Sequence, residues 1–155
     1  MDKIPPLADW AGGPAAFAAL TDRFYARVRD DVILAPVFEA MSPQHPAHVA
    51  AFIAAVLGGP KAYSPAGGSH AGMIRQHLGR HLTETQRRAW IALLLDTADE
   101  VGLPQDPEFR ASLVGYLEWG TRLAVMNSQD GGKAPGDGTP MPVCSWSSPG
   151  GPYRP

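Results

Sequence analysis

Apolar residues along this chain recur at steps of three and four, and no strand-like alternation of apolar and polar positions competes with them. That pattern predicts an all-α fold whose helices are punctuated by glycine and proline. Asp9 reads as the cap of a short first helix that stops at Gly12 and Gly13. Pro14 suits a first helical position, and Phe17, Leu20, Phe24 and Val28 then form one stripe that should end near Asp30 or Asp31. A shorter turn over residues 34–38 follows. Pro46 opens the next helix, with Val49, Phe52, Ile53, Val56 and Leu57 on its apolar face, and Gly58-Gly59-Pro60 ends it. Residues 61–70, centred on Gly67 and Gly68, read as an irregular loop, followed by a short helix carrying Met73, Ile74 and His77.

Two helix starts are marked by their own side chains. Thr83 and Gln86 have the spacing of a capping box, which predicts a long helix through Trp90, Leu93, Leu94, Thr97, Ala98 and Val101, stopped by Gly102. Asp106-Pro107 is a cap followed by a first-position proline. It opens a last helix whose stripe is Phe109, Leu113, Tyr116, Leu117, Leu123 and Ala124. Beyond it the periodicity ends: from residue 128 to 155, 12 of 28 residues are glycine or proline. Such a segment buries too little surface to offset its ordering entropy, so the expected division is a helical domain over residues 1–127 and a flexible tail over 128–155. Val143, Trp146 and Tyr153 are side chains by which it could dock on a surface, but disorder is the expectation.

Composition removes several function classes. With 13 basic against 15 acidic residues the net charge is −2, which argues against a nucleic-acid partner. A single cysteine, Cys144, rules out an intramolecular disulfide, a cysteine-rich zinc site and covalent haem attachment through Cys-x-x-Cys-His. The first residues lack the basic-then-apolar layout of a leader, and the longest apolar run, residues 49–57, is too short to span a bilayer. A soluble, cytoplasmic protein without membrane association is expected.

Five histidines remain as candidate chemistry: His45, His48, His70, His77 and His81. Taken one at a time, each is more often a surface or hydrogen-bonded residue than a ligand. His77 and His81 would share a helical face, but no glutamate lies between them, so the zinc-protease motif is absent. Tyr25 and Trp90 are equally readable as core aromatics with satisfied polar tips.

Context changes the balance. Phe24-Tyr25, Phe38 thirteen residues after Tyr25, Gly58-Gly59-Pro60 followed by Tyr63, and His77 thirteen residues before Trp90 together resemble the truncated haemoglobins, most closely their group II branch. The resemblance covers about residues 14–127. It implies a globin-like two-over-two helical sandwich holding non-covalent haem b between the helix after Pro46 and the segment bearing His77. His77 would be the proximal iron ligand, with Phe38 stacked on the porphyrin. Tyr25, His45, Val49 and Trp90 would line the distal side, where O2, CO or NO binds. Tyr63 would donate to a haem propionate, and Phe24, Phe38, Val49, Phe52 and Ile53 would keep water out. Where group II members carry an arginine before the proximal histidine this chain has Gln76, so Arg75 or Arg80 is the expected substitute at a propionate. His48, His70 and His81 are expected at the surface or in structural contacts.

Two uses of such a pocket stay open: reversible binding of diatomic ligands, or redox catalysis such as NO dioxygenation, peroxide turnover or nitrite reduction with an external reductase. A haem-free helical interaction module is the reading from a different class. The resemblance also makes a homodimer an expectation.

Overall fold

The computed structural model describes residues 3–59, 70–136, 138–140, 142–148 and 150–152. Among these there is no strand; the elements are α1 (Leu7–Ala11), α2 (Pro14–Val28), α3 (His45–Val56), α4 (His70–His77), α5 (Glu84–Glu100) and α6 (Pro107–Ser128). α2 packs on α3, α5 packs on α6, and α2 joins the two pairs by lying against α5, while α4 leans on α6. Phe17, Leu20, Phe24 and Val28 of α2, Ile53 and Val56 of α3, Leu94 and Ala98 of α5, and Phe109, Leu113 and Leu117 of α6 close into one core. Each large apolar side chain buried there stabilises the fold by roughly 1.5–3 kcal/mol. No helix of the described residues is long and apolar enough to cross a membrane.

The side-chain caps form as the sequence predicts. Thr83 Oγ1 accepts from the Gln86 amide at 3.1 Å, and Gln86 Oε1 accepts from the Thr83 amide at 2.9 Å. Asp106 Oδ2 accepts from the Phe109 amide at 3.0 Å. α5 ends at Gly102, whose φ of 79° lets its amide reach Asp99 O while the Leu103 amide reaches Ala98 O. α3 ends the same way at Gly58, with φ 85° and the Gly58 and Gly59 amides on Ala55 O and Ala54 O. A side chain at either left-handed position would be strained.

Several boundaries differ from expectation. Asp9 does not cap α1; the helix begins at Leu7 after Pro6, and Asp9 lies in its first turn. The start is set instead by long-range contacts, since Leu7 and Ala8 are buried and the Ala8 amide donates to Leu57 O at 3.0 Å. α2 stops at Val28 because Asp31 Oδ1 takes the amides of Ile33 and Leu34, both at 2.9 Å, and starts the next turn early. His70, read as loop, is the first residue of α4. Pro60, Tyr63, the Gly67-Gly68 loop and Tyr153 lie outside the described residues. The segment expected to be a flexible tail is docked over part of its length: Cys144 and Trp146 pack against the core, and the Cys144 amide donates to Val56 O at 2.7 Å.

Candidate functional site

The helix pairs leave a cleft of about 730 Å³ between them, within the range of cofactor and ligand sites. Tyr25, Phe38, His45, Val49, Phe52, Ile53, Arg75, His77 and Trp90 all line it. Those nine positions come from four helices and the turn after α2, so the fold brings together every sequence-predicted site residue it describes. Leu123 and Ala124, expected in the buried stripe of α6, are half-buried and line the same cleft. His70 lines it too, and His48, although exposed, sits on its rim rather than away from it. His81 is exposed and faces Asp130 at 3.5 Å.

One wall is aromatic and polar at once. Tyr25 is 2% exposed, and its ring meets Phe24, Phe38 and His45 edge-on at centroid distances of 4.9, 5.4 and 4.9 Å. Phe24 in turn packs edge-on to Trp90 at 5.2 Å. The Tyr25 hydroxyl lies 3.0 Å from Nε2 of His45 and also accepts from the Trp90 indole N–H. Burial pushes the Tyr25 hydroxyl well above its ordinary pKa, against a smaller opposing effect of the Trp90 bond, so it stays a protonated donor. Burial also lowers the His45 pKa, helped by His48, Arg80 and His77, and keeps that ring neutral near pH 7. With the His45 proton on Nε2, Tyr25 accepts from both His45 and Trp90 and turns its own O–H toward the cleft.

The other wall is built around His77, the last residue of α4. Its Nδ1 is 2.8 Å from Met73 O one turn earlier; a carbonyl only accepts, so the proton sits on Nδ1 and Nε2 keeps a free lone pair. Burial lowers the His77 pKa and Arg80 lowers it further, against an upward pull from the Met73 bond, so the imidazole is neutral and able to bind a metal. A carbonyl accepting from the far ring nitrogen is the usual way a metal-binding histidine is oriented.

Sequence reasoning missed Arg87. It is 5% exposed, lines the cleft, and is held by Glu84 and, at 3.1 Å, by Glu118 across on α6. The Glu84–Arg87 spacing is visible in the sequence, but Glu118 is brought in only by the packing of α5 on α6.

Both histidines carry a pH signature. The unfolded chain takes up these protons around 6.5, whereas the folded one takes them up only at lower pH. The unfolded state therefore binds more protons below 6.5, and stability present above that value is lost as pH falls through it. The protein free of any ligand should show a lower urea midpoint at about pH 5.5 than at about pH 7.5. His45→Gln combined with His77→Gln should flatten that slope; an equal slope in the variant would assign it to other groups.

A family model of bacterial-like globins matches residues 7–119, most of the chain. The chain belongs to the bacterial-like globin family. Among curated relatives, this globin is 31% identical to the group 2 truncated haemoglobin YjbI of Bacillus subtilis over 117 residues, covering 76% of this chain and 86% of that one. Among solved structures it resembles the haemoglobin of the thermophilic phototroph Chloroflexus aurantiacus at 29% identity and a TM-score of 0.68, covering 77% of this chain and 97% of that one. The group II truncated haemoglobin of Bacillus anthracis, at 22% identity, shares the fold with a TM-score of 0.72, covering 84% of this chain and 98% of that one. The two-over-two arrangement and the truncated-haemoglobin resemblance are thereby borne out. Truncated globins bind haem and small gases.

The cleft of this globin suits that cofactor. Its described lining includes Arg75, Arg80 and Arg87 and the histidines 45, 48, 70 and 77, but no aspartate or glutamate, although the whole chain is net acidic. An apolar slot with a cationic border fits a flat hydrophobic group that carries two carboxylates, and His77 offers that group's metal a neutral nitrogen.

Proposed function

We propose that this globin holds haem b non-covalently in the cleft through Nε2 of His77, and that it binds O2, CO, NO or similar diatomic ligands reversibly on the Tyr25 side. The haem-binding unit spans residues 1–127 in this reading. The observation that carries it is the pairing of a neutral His77, oriented by Met73 O, with the hydroxyl and N–H groups of Tyr25, His45 and Trp90 gathered from α2, α3 and α5. When bound, haem would supply an iron able to take up a small diatomic ligand. The protein supplies the surroundings. Tyr25 donates its hydroxyl proton toward the ligand, while Trp90 and His45 hold the phenol in place. Phe38, Val49, Phe52 and Ile53 exclude water, and Arg75 and Tyr63 are the residues that would hold the propionates. Cys144, the sole cysteine, does not line the cleft, which fits non-covalent binding.

Hemin titration tests this directly. Purified protein should develop one equivalent of absorbance near ~400 nm, the region of the porphyrin band. Protein that stays colourless with excess hemin would leave only a helical bundle. Tyr25→Phe should then release O2 about tenfold faster, because one hydrogen bond contributes about 1–2 kcal/mol and 1.4 kcal/mol is tenfold in rate. An unchanged rate would move the main donor role to Trp90 or His45.

A second reading is favoured by the Tyr25 hydroxyl, which two N–H donors, His45 and Trp90, hold aimed into the cleft. It would also polarise a ligand for NO dioxygenation, peroxide turnover or nitrite reduction, with electrons from an external reductase. Very slow O2 release, together with immediate loss of the O2-loaded spectrum on adding NO, would select that role; fast release without NO discharge would select reversible binding.

A further inference from the structure

The last carbonyls of α3 are closed in an unusual way. Local turns satisfy Ile53, Ala54 and Ala55 O, but Val56 O and Leu57 O accept from opposite ends of the chain, the Cys144 amide at 2.7 Å and the Ala8 amide at 3.0 Å. Neighbouring contacts tie the same three regions together. The Trp146 indole N–H donates to Pro5 O at 2.8 Å, and its ring meets Trp10 edge-on at 6.0 Å. Trp10 donates to Asp106 Oδ1, the cap of α6, at 2.9 Å. The Ser147 amide donates to Ser112 Oγ on α6 at 3.0 Å. Residues 142–147 thus donate to Pro5 just before α1, to α3 and to α6, and pack on α1 through Trp10. This segment lies beyond residues 7–119, so it is not part of what the family model matches.

We propose that residues 142–147 form a clasp that positions the C-terminal end of α3 and thereby slows escape of the cofactor. α3 supplies Val49, Phe52 and Ile53 to the cleft wall, and its exit leads through residues 60–69 to α4 and His77. A helix end whose terminal carbonyls are held by distant donors cannot fray outward without first losing them. None of the clasp residues lines the cleft, so they act on the cofactor only by positioning α3. The consequence for haem rests on the function proposed above; the clasp itself does not.

The test separates the two. Hydrogen exchange on the full-length protein, with and without hemin, should show the Cys144 and Ala8 amides protected at least about a hundredfold over unstructured chain. Exchange at the unstructured rate would overturn the clasp whatever the protein does with hemin. Cys144→Pro removes the amide donor, and Cys144→Ala keeps it. Transfer of haem to an excess of a haem-scavenging apoprotein should be about fivefold to tenfold faster for Cys144→Pro, and unchanged for Cys144→Ala. Trp146→Phe, which keeps an aromatic ring but loses the bond to Pro5 O, should show a smaller acceleration. Equal loss rates for all three variants, with the amides protected, would overturn the positioning role; failure to bind hemin at all would overturn the proposed function and leave the exchange result to decide the clasp.

Discussion

His77→Ala should leave a helical protein that no longer holds hemin. Two of the other imidazoles of the cleft are badly placed to replace it: His45 Nε2 is engaged with the Tyr25 hydroxyl, and His48 is exposed at the rim. His81 is 57% exposed at its side chain and is paired with Asp130. Removing only an outer partner of a metal-bound histidine typically costs about 10–100-fold in affinity, so removing the ligand itself should exceed about a hundredfold. Far-UV circular dichroism should stay helical, because His77 is the final residue of α4 and is absent from the buried core. Free imidazole added to the variant should restore part of the hemin absorbance by occupying the space left against Met73 O. Retention of hemin with an unaltered spectrum would show that another residue is the iron's protein ligand.

The residues that made the helices legible are those whose partners are close in sequence. Thr83 with Gln86, and Asp106 with Phe109, satisfy orphan amides within one turn, so their spacing alone identifies them. Gly58 and Gly102 work the same way at helix ends. Asp9 misled because the Ala8 amide of α1 is settled by Leu57 O, about fifty residues away in the chain, and not by a nearby side chain. The docking of residues 142–148 was illegible for the same reason. A Gly- and Pro-rich segment has no periodicity, yet isolated anchors at Cys144 and Trp146 suffice when remote carbonyls and Trp10 await them. The cleft was legible only in part. Histidine counting could not distinguish His77 from His48, and the aromatic pair Phe24-Tyr25 looked like ordinary core. The order of those residues relative to Trp90 carried the family resemblance, while Arg87 became visible only once α6 brought Glu118 to it.

Phe24→Ala should be the costliest change in the core, and it should loosen the gas-binding wall as well. Phe24 is fully buried and stands edge-on between Tyr25 at 4.9 Å and Trp90 at 5.2 Å. Truncating a buried phenylalanine to alanine typically costs about 3–5 kcal/mol, as lost transfer energy plus the cavity left behind. Each edge-to-face aromatic pair adds about 0.5–1.5 kcal/mol beyond its buried area, which places this site at the upper end. Against a domain stability of about 5–15 kcal/mol, the loss brings the protein near its unfolding limit. Urea unfolding of the hemin-loaded protein should show a large drop in midpoint with an unchanged slope. Phe24→Leu, which refills most of the cavity but removes both ring contacts, should cost less. The two variants should nevertheless share faster O2 release, since in both the Tyr25 phenol and the Trp90 indole lose the ring that fixes their relative angle. Were Phe24→Ala to cost under about 1 kcal/mol, or to release O2 at the parent rate, the aromatic wall would not be the support that orients Tyr25.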